Sequence, residues 1–251
     1  GYGTDGAIWG GEFLICRDAD FDRAGHLEYV KMLGGDSSMK EGWKSAFCYL
    51  YHYQKPKEAR NSQEQGAGCP LREPEDPRWP MVKAGLDYNI NTINSSSMGR
   101  LFDAVSAFAG IHEYNRYEGE CAIMLENAAA DAVRDGAEPW EMSFRIQEDS
   151  GLQGGSELQR GSELQISAEP VFHRVEEALL AGIEKSRIAL GFHYAVSDMI
   201  FRVCELIRRR EGIEAVALTG GVFQNKILME RTLELLRSGG FRPYYNVSVG
   251  P

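Results

Sequence analysis

The spacing of apolar and polar positions changes along the chain, and this change predicts the order of its elements. Near the start, residues 7–17 and 26–33 have the composition of β-strands. The middle of the chain is dominated by apolar positions with helical spacing. Helices are predicted for segments 41–53, 97–110, 120–134, 170–185 and 187–210. Strands followed by a helical middle predict an α/β protein.

The C-terminal part of the chain adds a strand, a helix and a second strand. Val216 to Leu218 form an uninterrupted apolar run, as expected for a strand covered on both faces. Gly220 and Gly221 then precede a segment with helical spacing, and residues 241–249 again have strand composition. This order predicts a parallel pair of strands with a right-handed crossover.

The Gly220-Gly221 pair falls where the first of these strands gives way to the helix. Glycines adopt positive φ and let another group approach the backbone closely. The first turn of a helix also has unpaired N–H groups and the positive end of the helix dipole, which together attract anions. The pair therefore makes either a plain tight turn or an anion site, and pattern alone slightly favours the plain turn.

Composition argues against several classes of function. The 251 residues carry a formal net charge of −10, which is unfavourable for a nucleic-acid surface. No apolar stretch approaches the roughly 20 residues that span a bilayer, so no membrane partner is expected. The five cysteines include no C-x-x-C pair, and the five histidines no H-x-x-x-H spacing. We therefore expect reduced thiols, a cytoplasmic protein and no metal site within the chain.

Two segments with few apolar anchors, residues 55–80 and 147–169, are predicted to be loops. At the start of the chain, Asp5-Gly6 has the composition of a hairpin turn, but few residues precede it and none is Met. The last residues come directly after a predicted strand. We therefore expect the sequence to be part of a longer polypeptide, truncated at both ends.

Four motifs carry a resemblance to a known family. They are GYGTDGAIWGGEF at 1–13, NTINSSSMGRLFDAVSA at 91–107, YEGECAIMLE at 117–126 and LTGGVFQN at 218–225. In this order they resemble the HypF family, the carbamoyltransferases of nickel–iron hydrogenase maturation, and more narrowly its C-terminal carbamoyl-transfer domain. Four ordered motifs are far more specific than one glycine pair, so the resemblance favours a binding role for the Gly220-Gly221 turn.

The resemblance implies the actin/hexokinase/Hsp70-like, or ribonuclease H-like, nucleotide-binding fold with a large helical portion. The tRNA threonylcarbamoyl-transfer proteins share it. Residues 1–54 are then the remnant of a first nucleotide-binding half, and residues 55–186 are a mainly helical portion with loops. Residues 187–251 supply a helix and the strand–helix–strand unit of the second half. The two glycine-rich turns are expected to face each other across a cleft.

The resemblance also implies a nucleotide or substrate pocket. Asp103 matches the acid of the family's F-D-A or F-D-K motif, Glu120 follows the glycine of its tyrosine motif, and Asn225 belongs to its G-G-V motif. Carboxylates accept hydrogen bonds from ribose hydroxyls, and an amide both donates and accepts. The other expected site residues belong to the glycine turn, the first phosphate loop and the pocket wall: Gly220, Gly221, Gly1, Gly3, Thr4, Gly6, Ser95, Ser96, Ser97 and Gly99.

Each of these assignments has a structural alternative. By spacing alone Asp103 is an ordinary acid on a helix surface, and Glu120 suits the positive end of a helix dipole. Asn225 is an equally good cap for the helix that follows it. His193 lies on an apolar helix face and is interpreted as a buried, hydrogen-bonded histidine rather than a ligand. Arg100 is expected to contact either a phosphate or a nearby acid.

For the complete protein, the resemblance implies that ATP and carbamoyl phosphate yield carbamoyl-adenylate at a site with a divalent metal. The family's metal-binding histidines and aspartate fall outside residues 1–251, as do its acylphosphatase, zinc-containing zinc-finger and carbamoyl-adenylate-forming segments. This chain alone is therefore expected to be inactive and to hold no cofactor tightly.

The resemblance implies that the carbamoyl group goes to the C-terminal cysteine of a HypE-like maturation partner, towards the cyanide ligands of the hydrogenase iron. Two other functions stay open. One is a nucleotide-binding or docking module without activity. The other is an O-carbamoyltransferase that acts on a small-molecule hydroxyl, which an acceptor assay would distinguish.

Overall fold

The computed structural model describes residues 1–35, 40–54, 71–148 and 163–246. Within these residues the chain is a mixed α/β protein. Its strands are β1 (Glu12–Arg17), β2 (Asp20–Leu27), β3 (Val30–Leu33), β4 (Thr92–Ser95), β5 (Arg145–Glu148), β6 (Leu164–Ser167), β7 (Ala215–Leu218) and β8 (Arg242–Tyr245). Its helices are α1 (Gly42–Gln54), α2 (Trp79–Asp87), α3 (Met98–Phe108), α4 (Glu120–Arg134), α5 (Glu169–Leu180), α6 (Lys185–Glu211) and α7 (Lys226–Ser238), with a 3₁₀ turn (Gly221–Gln224) before α7.

The strands of the described residues form three sheets. The largest has the order β1–β2–β6–β5, in which β2 and β6 run parallel and the two outer pairs are antiparallel. Strands β3 and β4 form an antiparallel pair, and β7 and β8 form a parallel pair. Ala215 lies opposite Arg242 and Leu218 opposite Tyr245, so the predicted strand–helix–strand unit with parallel strands is confirmed.

Helix α6 lies in the middle of the hydrophobic core. It is 27 residues long, and α4 and α7 pack along it. Phe102 of α3, Phe172 of α5 and Phe192 of α6 are all fully buried. Phe102 meets Phe192 edge to face, with 4.9 Å between the ring centroids, an arrangement that aromatic rings favour. The apolar stripes predicted from helical spacing are therefore the faces that meet in the core.

One close approach to α6 requires a glycine. A Cβ at Gly191 would lie 1.9 Å from the carbonyl oxygen of Trp140, closer than side chains approach a backbone. Trp140 is fixed there because its main-chain N–H donates to the carbonyl of Arg187 and its indole N–H to that of Arg174, both at 3.0 Å. The missing side chain at residue 191 lets the segment before β5 lie directly on α6.

The five predicted helices are present, with bounds close to the predicted ones. Helix α4 begins and ends where predicted. Its start follows from Gly119, the residue before it, whose φ of +78° is not helical. Helix α5 ends at Leu180 rather than 185, since Gly182 adopts a φ of +69° and breaks the helix.

The strand predictions need correction. Residues 7–33 contain three strands rather than two, and residues 20–25, predicted to lie between strands, belong to β2. Asp18 adopts a φ of +53° and turns β1 back into β2. The last predicted strand is present at Arg242–Tyr245, and residues 247–249 lie outside the described residues.

Parts of the two predicted loops are ordered elements. Helix α2 overlaps the first loop at Trp79, and β6 lies within the second. Strands β4 and β5 were also not predicted. Residues 55–70 and 149–162 of these loops lie outside the described residues.

Candidate functional site

Residues 1–9 form a short hairpin. Tyr2 pairs antiparallel with Ile8, and the turn predicted at Asp5-Gly6 is confirmed. Gly6 adopts a φ of +78°, a conformation that favours glycine. The hairpin contains the four residues predicted for the first phosphate loop, Gly1, Gly3, Thr4 and Gly6.

The stem of this hairpin is bonded to β4 and lies at the start of α3. The N–H of Ile8 donates to the carbonyl of Asn94, and the N–H of Ser96 donates to the carbonyl of Ile8, both at 2.9 Å. Ser97 caps α3, because its hydroxyl accepts a hydrogen bond from the N–H of Arg100 at 3.4 Å. The predicted pocket wall, formed by Ser95, Ser96, Ser97 and Gly99, therefore adjoins the hairpin.

Glu12 ties the hairpin to α3, and sequence reasoning does not identify it. Its carboxylate accepts hydrogen bonds from the N–H groups of Gly10 at 2.6 Å and Gly11 at 2.9 Å, and from the hydroxyl of Ser96. A Cβ at Gly11 would lie 2.4 Å from the carbonyl oxygen of Ser96, so these two backbone segments can approach this closely only with glycine at residue 11. The Gly-Gly-Glu sequence is the signal that could have indicated this contact.

Asp103 lies in the middle of α3 and is 8 % exposed. Burial raises the pKa of its carboxyl to about 6, although a hydrogen bond with Asn115 and the charge of Arg100 act in the opposite direction. Asn115 also accepts a hydrogen bond from the N–H of Cys121 at 2.6 Å, so it links α3 to α4. A buried acid that changes its protonation near neutral pH is typical of a binding or catalytic site. Asp103 is therefore not the ordinary surface acid that spacing allowed.

Glu120 begins α4, and its carboxylate is already paired with the loop before the helix. It accepts hydrogen bonds from the main-chain N–H of Arg116 at 2.6 Å and from its Nε at 2.9 Å, and Nε2 of His112 lies 3.5 Å away. The hydrogen bonds from Arg116 hold the pKa of Glu120 at about 2. The side chain of Glu120 is 1 % exposed and that of Arg116 is 79 % exposed, so the acid is closed to solvent while its partner lies at the surface.

Asn225 caps α7 and is bonded to the middle of α6. Its Oδ1 accepts a hydrogen bond from the N–H of Leu228 at 3.0 Å, and its Nδ2 donates to Nε2 of His193 at 2.8 Å. Nδ1 of His193 donates to the carbonyl of Ala189 at 2.7 Å, so its Nε2 must be the acceptor. Burial lowers the pKa of His193 to about 4, which keeps the ring neutral. The cap at Asn225 and the buried, hydrogen-bonded histidine are both confirmed.

The predicted glycine turn leads into α7. Gly220 adopts a φ of +102°, which favours glycine, and Gly221 begins the 3₁₀ turn. A Cβ built at either residue would have no heavy atom within 4 Å. Packing therefore does not explain why Gly221 is a glycine, whereas close approach of a ligand to the backbone would.

Helix α3 adjoins both the hairpin of residues 1–9 and the elements that hold Asn225. Its N-cap Ser97 adjoins the hairpin, and its middle contacts α6 through Phe102, whose ring centroid lies 5.5 Å from that of His193. His193 is the partner of Asn225, and α3 also contacts the 3₁₀ turn. The convergence of Asp103, Glu120 and Asn225 on one cleft beside Gly220 and Gly221 stays a prediction.

Two concave surfaces lie away from these residues. One, of about 350 Å³, is formed by α1, α3 and α5, and the other, of about 540 Å³, by residues 139–143 and α6. Neither contains a predicted site residue. Across residues 1–35, 40–54, 71–148 and 163–246, no group of three or more His, Cys, Asp or Glu side chains is placed to hold a metal ion. No helix in these same ranges is long and apolar enough to cross a membrane.

The fold and the four motifs together indicate a carbamoyl-transfer domain, and comparison with known proteins identifies the family. Residues 1–251 match the family described as "Carbamoyltransferase, Kae1-like Domain, second subdomain" of HypF. The chain belongs to the HypF family, as the motifs predict.

Curated relatives agree with this assignment. The probable carbamoyltransferase HypF of Methanocaldococcus jannaschii is 30% identical over 251 residues, which cover 99% of this chain and 29% of that protein. The carbamoyltransferase HypF of Rhodobacter capsulatus is 32% identical over 241 residues, which cover 96% of this chain and 28% of that protein. The chain thus spans less than a third of the length of these relatives.

Solved structures show the same fold. Full-length HypF in a phosphate- and nucleotide-bound form has a TM-score of 0.76 and 30% identity, and the match covers 98% of this chain and 34% of that chain. HypF of T. kodakarensis has a TM-score of 0.71 at 24% identity, over 97% of this chain and 29% of that one, which supports the fold alone.

Proposed function

We propose that this chain is the part of a HypF carbamoyltransferase that binds carbamoyl-adenylate and passes its carbamoyl group to a maturation partner. Family membership over all 251 residues is the observation that carries the proposal. The similar HypF structure in a phosphate- and nucleotide-bound form supports a nucleotide as the ligand. We also assign the chain to the actin/hexokinase/Hsp70-like nucleotide-binding fold, whose glycine turns approach phosphates.

The proposed nucleotide site lies along α3. Asp103 accepts hydrogen bonds from the ribose hydroxyls, and the open space above Gly220 and Gly221 admits the adenylate close to the backbone. The hairpin of residues 1–9 and the Ser97 cap offer N–H groups and the positive end of α3 to the phosphate. Because the formal charge of the chain is −10, this local polarity must offset a repulsive long-range field.

Carbamoyl transfer then needs positioning and charge stabilisation. A thiolate of the partner attacks the carbamoyl carbon, a carbon–sulfur bond forms, and the bond from that carbon to the AMP phosphate oxygen breaks. AMP leaves with the electron pair of that bond. Holding the adenylate and the thiolate together supplies much of the rate. A divalent metal would polarise the phosphate or the carbonyl when bound, but the described residues form no ligand set for it, so no step is assigned to it.

The acceptor is proposed to be a cysteine of the partner rather than one of the buried cysteines of this chain. Cys48, Cys121 and Cys204 are buried, and burial raises the pKa of each thiol to about 12. A thiol in that state supplies almost no thiolate at neutral pH. The proposed acceptor is instead the C-terminal cysteine of a HypE-like protein, on the way to the cyanide ligands of the hydrogenase iron.

The test is a set of activity assays on the full gene product. With ATP and carbamoyl phosphate it should release AMP, and with a maturation partner it should leave a carbamoyl group on that partner's C-terminal cysteine, detected by mass spectrometry. Replacing that cysteine by serine should abolish the product. Transfer to a small-molecule hydroxyl instead would identify an O-carbamoyltransferase, and nucleotide binding without turnover would identify a binding module.

A further inference from the structure

The hairpin of residues 1–9 rests on a single aromatic side chain. A Cβ built at Gly3 would lie 2.1 Å from atoms of the Trp9 indole ring, so the loop backbone is pressed against this ring. Only glycine allows that approach. The opposite side of the hairpin is open, because nothing lies within 4 Å of a Cβ at Gly1 or Gly6.

The indole is held by a closed set of hydrogen bonds. Its N–H is shared between Oδ1 of Asp5 and the hydroxyl oxygen of Tyr29, each at 3.0 Å. The Tyr29 hydroxyl donates to Oδ2 of Asp5 and accepts a second hydrogen bond from Nη1 of Arg23 at 2.5 Å. The single proton and both lone pairs of this hydroxyl are therefore used. Oδ1 of Asp5 also accepts from the N–H of Ala7 at 3.1 Å, inside the turn.

Arg23 anchors this set to the main sheet. It belongs to β2, and its Nε donates to Glu163, next to β6, at 3.1 Å. Its guanidinium lies over the indole, 4.7 Å from the ring centroid, a distance at which a cation attracts an aromatic face. The Trp9 ring is thus covered by the hairpin, held at its edge by Tyr29, and stacked under a cation fixed to another element.

Arg23 neutralises part of the negative charge of Asp5 and of Glu163. The hydrogen bond from Tyr29 holds the pKa of Asp5 at about 2, so this group is a carboxylate at neutral pH. Nη1 of Arg23 lies 3.5 Å from Oδ2 of Asp5, which offsets the negative charge. A carboxylate inside a phosphate-binding turn would otherwise repel the phosphate.

We propose that Trp9, Asp5, Tyr29 and Arg23 form a latch that holds the hairpin in the conformation that binds the nucleotide phosphate. Tyr29 and Trp9 are positioning residues, since they act through the hairpin. The inference rests on the proposed nucleotide site. A glycine-rich loop without this support would lose conformational freedom on binding, and a latched loop has lost it already.

The test uses Tyr29→Phe in the full gene product. The ring and its packing stay, but the hydroxyl that joins Asp5, Trp9 and Arg23 is removed. We expect the ATP concentration for half-maximal carbamoyl transfer to the partner protein to rise about 10-fold, because one part-buried hydrogen-bond centre is lost, while the rate at saturating ATP stays within about twofold. Tyr88→Phe is the matched control, since Tyr88 is 77% exposed, and it should change neither value.

Asp5→Asn is a second variant at an exposed turn position. Its amide still accepts from Ala7 and Trp9 but cannot accept from the Tyr29 hydroxyl, so it should raise the same half-maximal ATP concentration. The Trp9 indole N–H resonance, assigned by its loss in Trp9→Phe, reports the latch directly. In Tyr29→Phe it should shift and exchange with solvent faster than in the unsubstituted protein.

The results distinguish failure of the latch from failure of the proposed nucleotide site. An unchanged half-maximal ATP concentration in Tyr29→Phe, together with a shifted indole resonance, would overturn the latch as a positioning device and leave the nucleotide site standing. An equal fall of the saturating rate in every variant, with no change in half-maximal ATP concentration, would also overturn it. Absence of ATP binding by the unsubstituted protein would instead refute the proposed function, and with it the role of the latch.

Discussion

Replacing Asp103 by asparagine should make the protein more stable near neutral pH and bind ATP more weakly. The substitution keeps the size of the side chain and an oxygen for the hydrogen bond with Asn115, but it removes the charge. Asp103 is buried, so its charged form is unfavourable in the folded protein. Opposite effects on stability and on binding distinguish a group retained for function from a structural one.

The magnitude follows from the pKa. The carboxyl of Asp103 has an ordinary value of 3.8 and a folded value of about 6, a difference that corresponds to about 3 kcal/mol. Between these pH values the folded state keeps a proton that the unfolded state has released, so the free energy of unfolding falls as pH rises from 4 to 6. The penalty is fully present above about pH 7 and absent below about pH 4.

The assay is urea unfolding of both proteins at several pH values between about 4 and 8. Near pH 4 the two free energies of unfolding should differ by no more than about 1 kcal/mol, the value of one hydrogen bond. Near pH 8 the free energy of unfolding of Asp103→Asn should exceed that of the unsubstituted protein by about 2 to 3 kcal/mol more than it does near pH 4. Asp131→Asn, an exposed acid of α4, is the control and should show no such pH-dependent gain.

ATP affinity of the same variant completes the test. Losing a charged acceptor for the ribose hydroxyls should weaken binding about 10- to 100-fold. A stability difference that does not depend on pH would refute the reasoning about the buried acid. Unchanged ATP affinity would remove Asp103 from the proposed site.

Three further outcomes follow from named contacts. Asn225→Ala should lower the free energy of unfolding by about 2 to 4 kcal/mol, because α7 loses its cap and Nε2 of His193 loses its donor. Urea unfolding should show a smaller loss for Asn225→Ser, because serine can still cap the helix. Gly191→Ala should cost about 1 to 3 kcal/mol or more in the same measurement, since its Cβ would overlap the carbonyl of Trp140. Cys121 should resist alkylation at pH 8 in the folded protein and react only in denaturant, as peptide mass spectrometry would show.

The helices and the C-terminal unit could be predicted because their signals are local. Helix α4 has its apolar stripe and a start signal at Gly119 within one short stretch, and β7 to β8 follows from a strand, glycines and a helix in order. Strand β6 could not be predicted in this way. It pairs with β2, which is far away in sequence, so its stability depends on a partner that local pattern does not contain.

The site residues show the same limit. Motifs identified Asp103 and Asn225 as candidates, but not what surrounds them. The raised pKa of Asp103 depends on burial by distant helices, and the orientation of the Asn225 amide depends on His193, 32 residues away. Glu12 escaped notice because its role lies in the contact with Ser96, 84 residues later. Sequence spacing indicates which residues are neighbours on one helix or strand. The surroundings of Asp103, Asn225 and Glu12 depend instead on contacts between elements.

A structural and a binding role for Asn225 are compatible. The cap uses one lone pair of Oδ1, and His193 accepts one of the two hydrogens on Nδ2, so the amide keeps a second hydrogen and a second lone pair. Because His193 can only accept at Nε2, it prevents the amide from flipping, and the remaining hydrogen points in a fixed direction. The adjoining Gly220 turn leaves open space. A cap held by a buried neutral histidine is therefore a preorganised donor as well as a structural device, since the folding of α7 has already fixed its geometry before any ligand arrives.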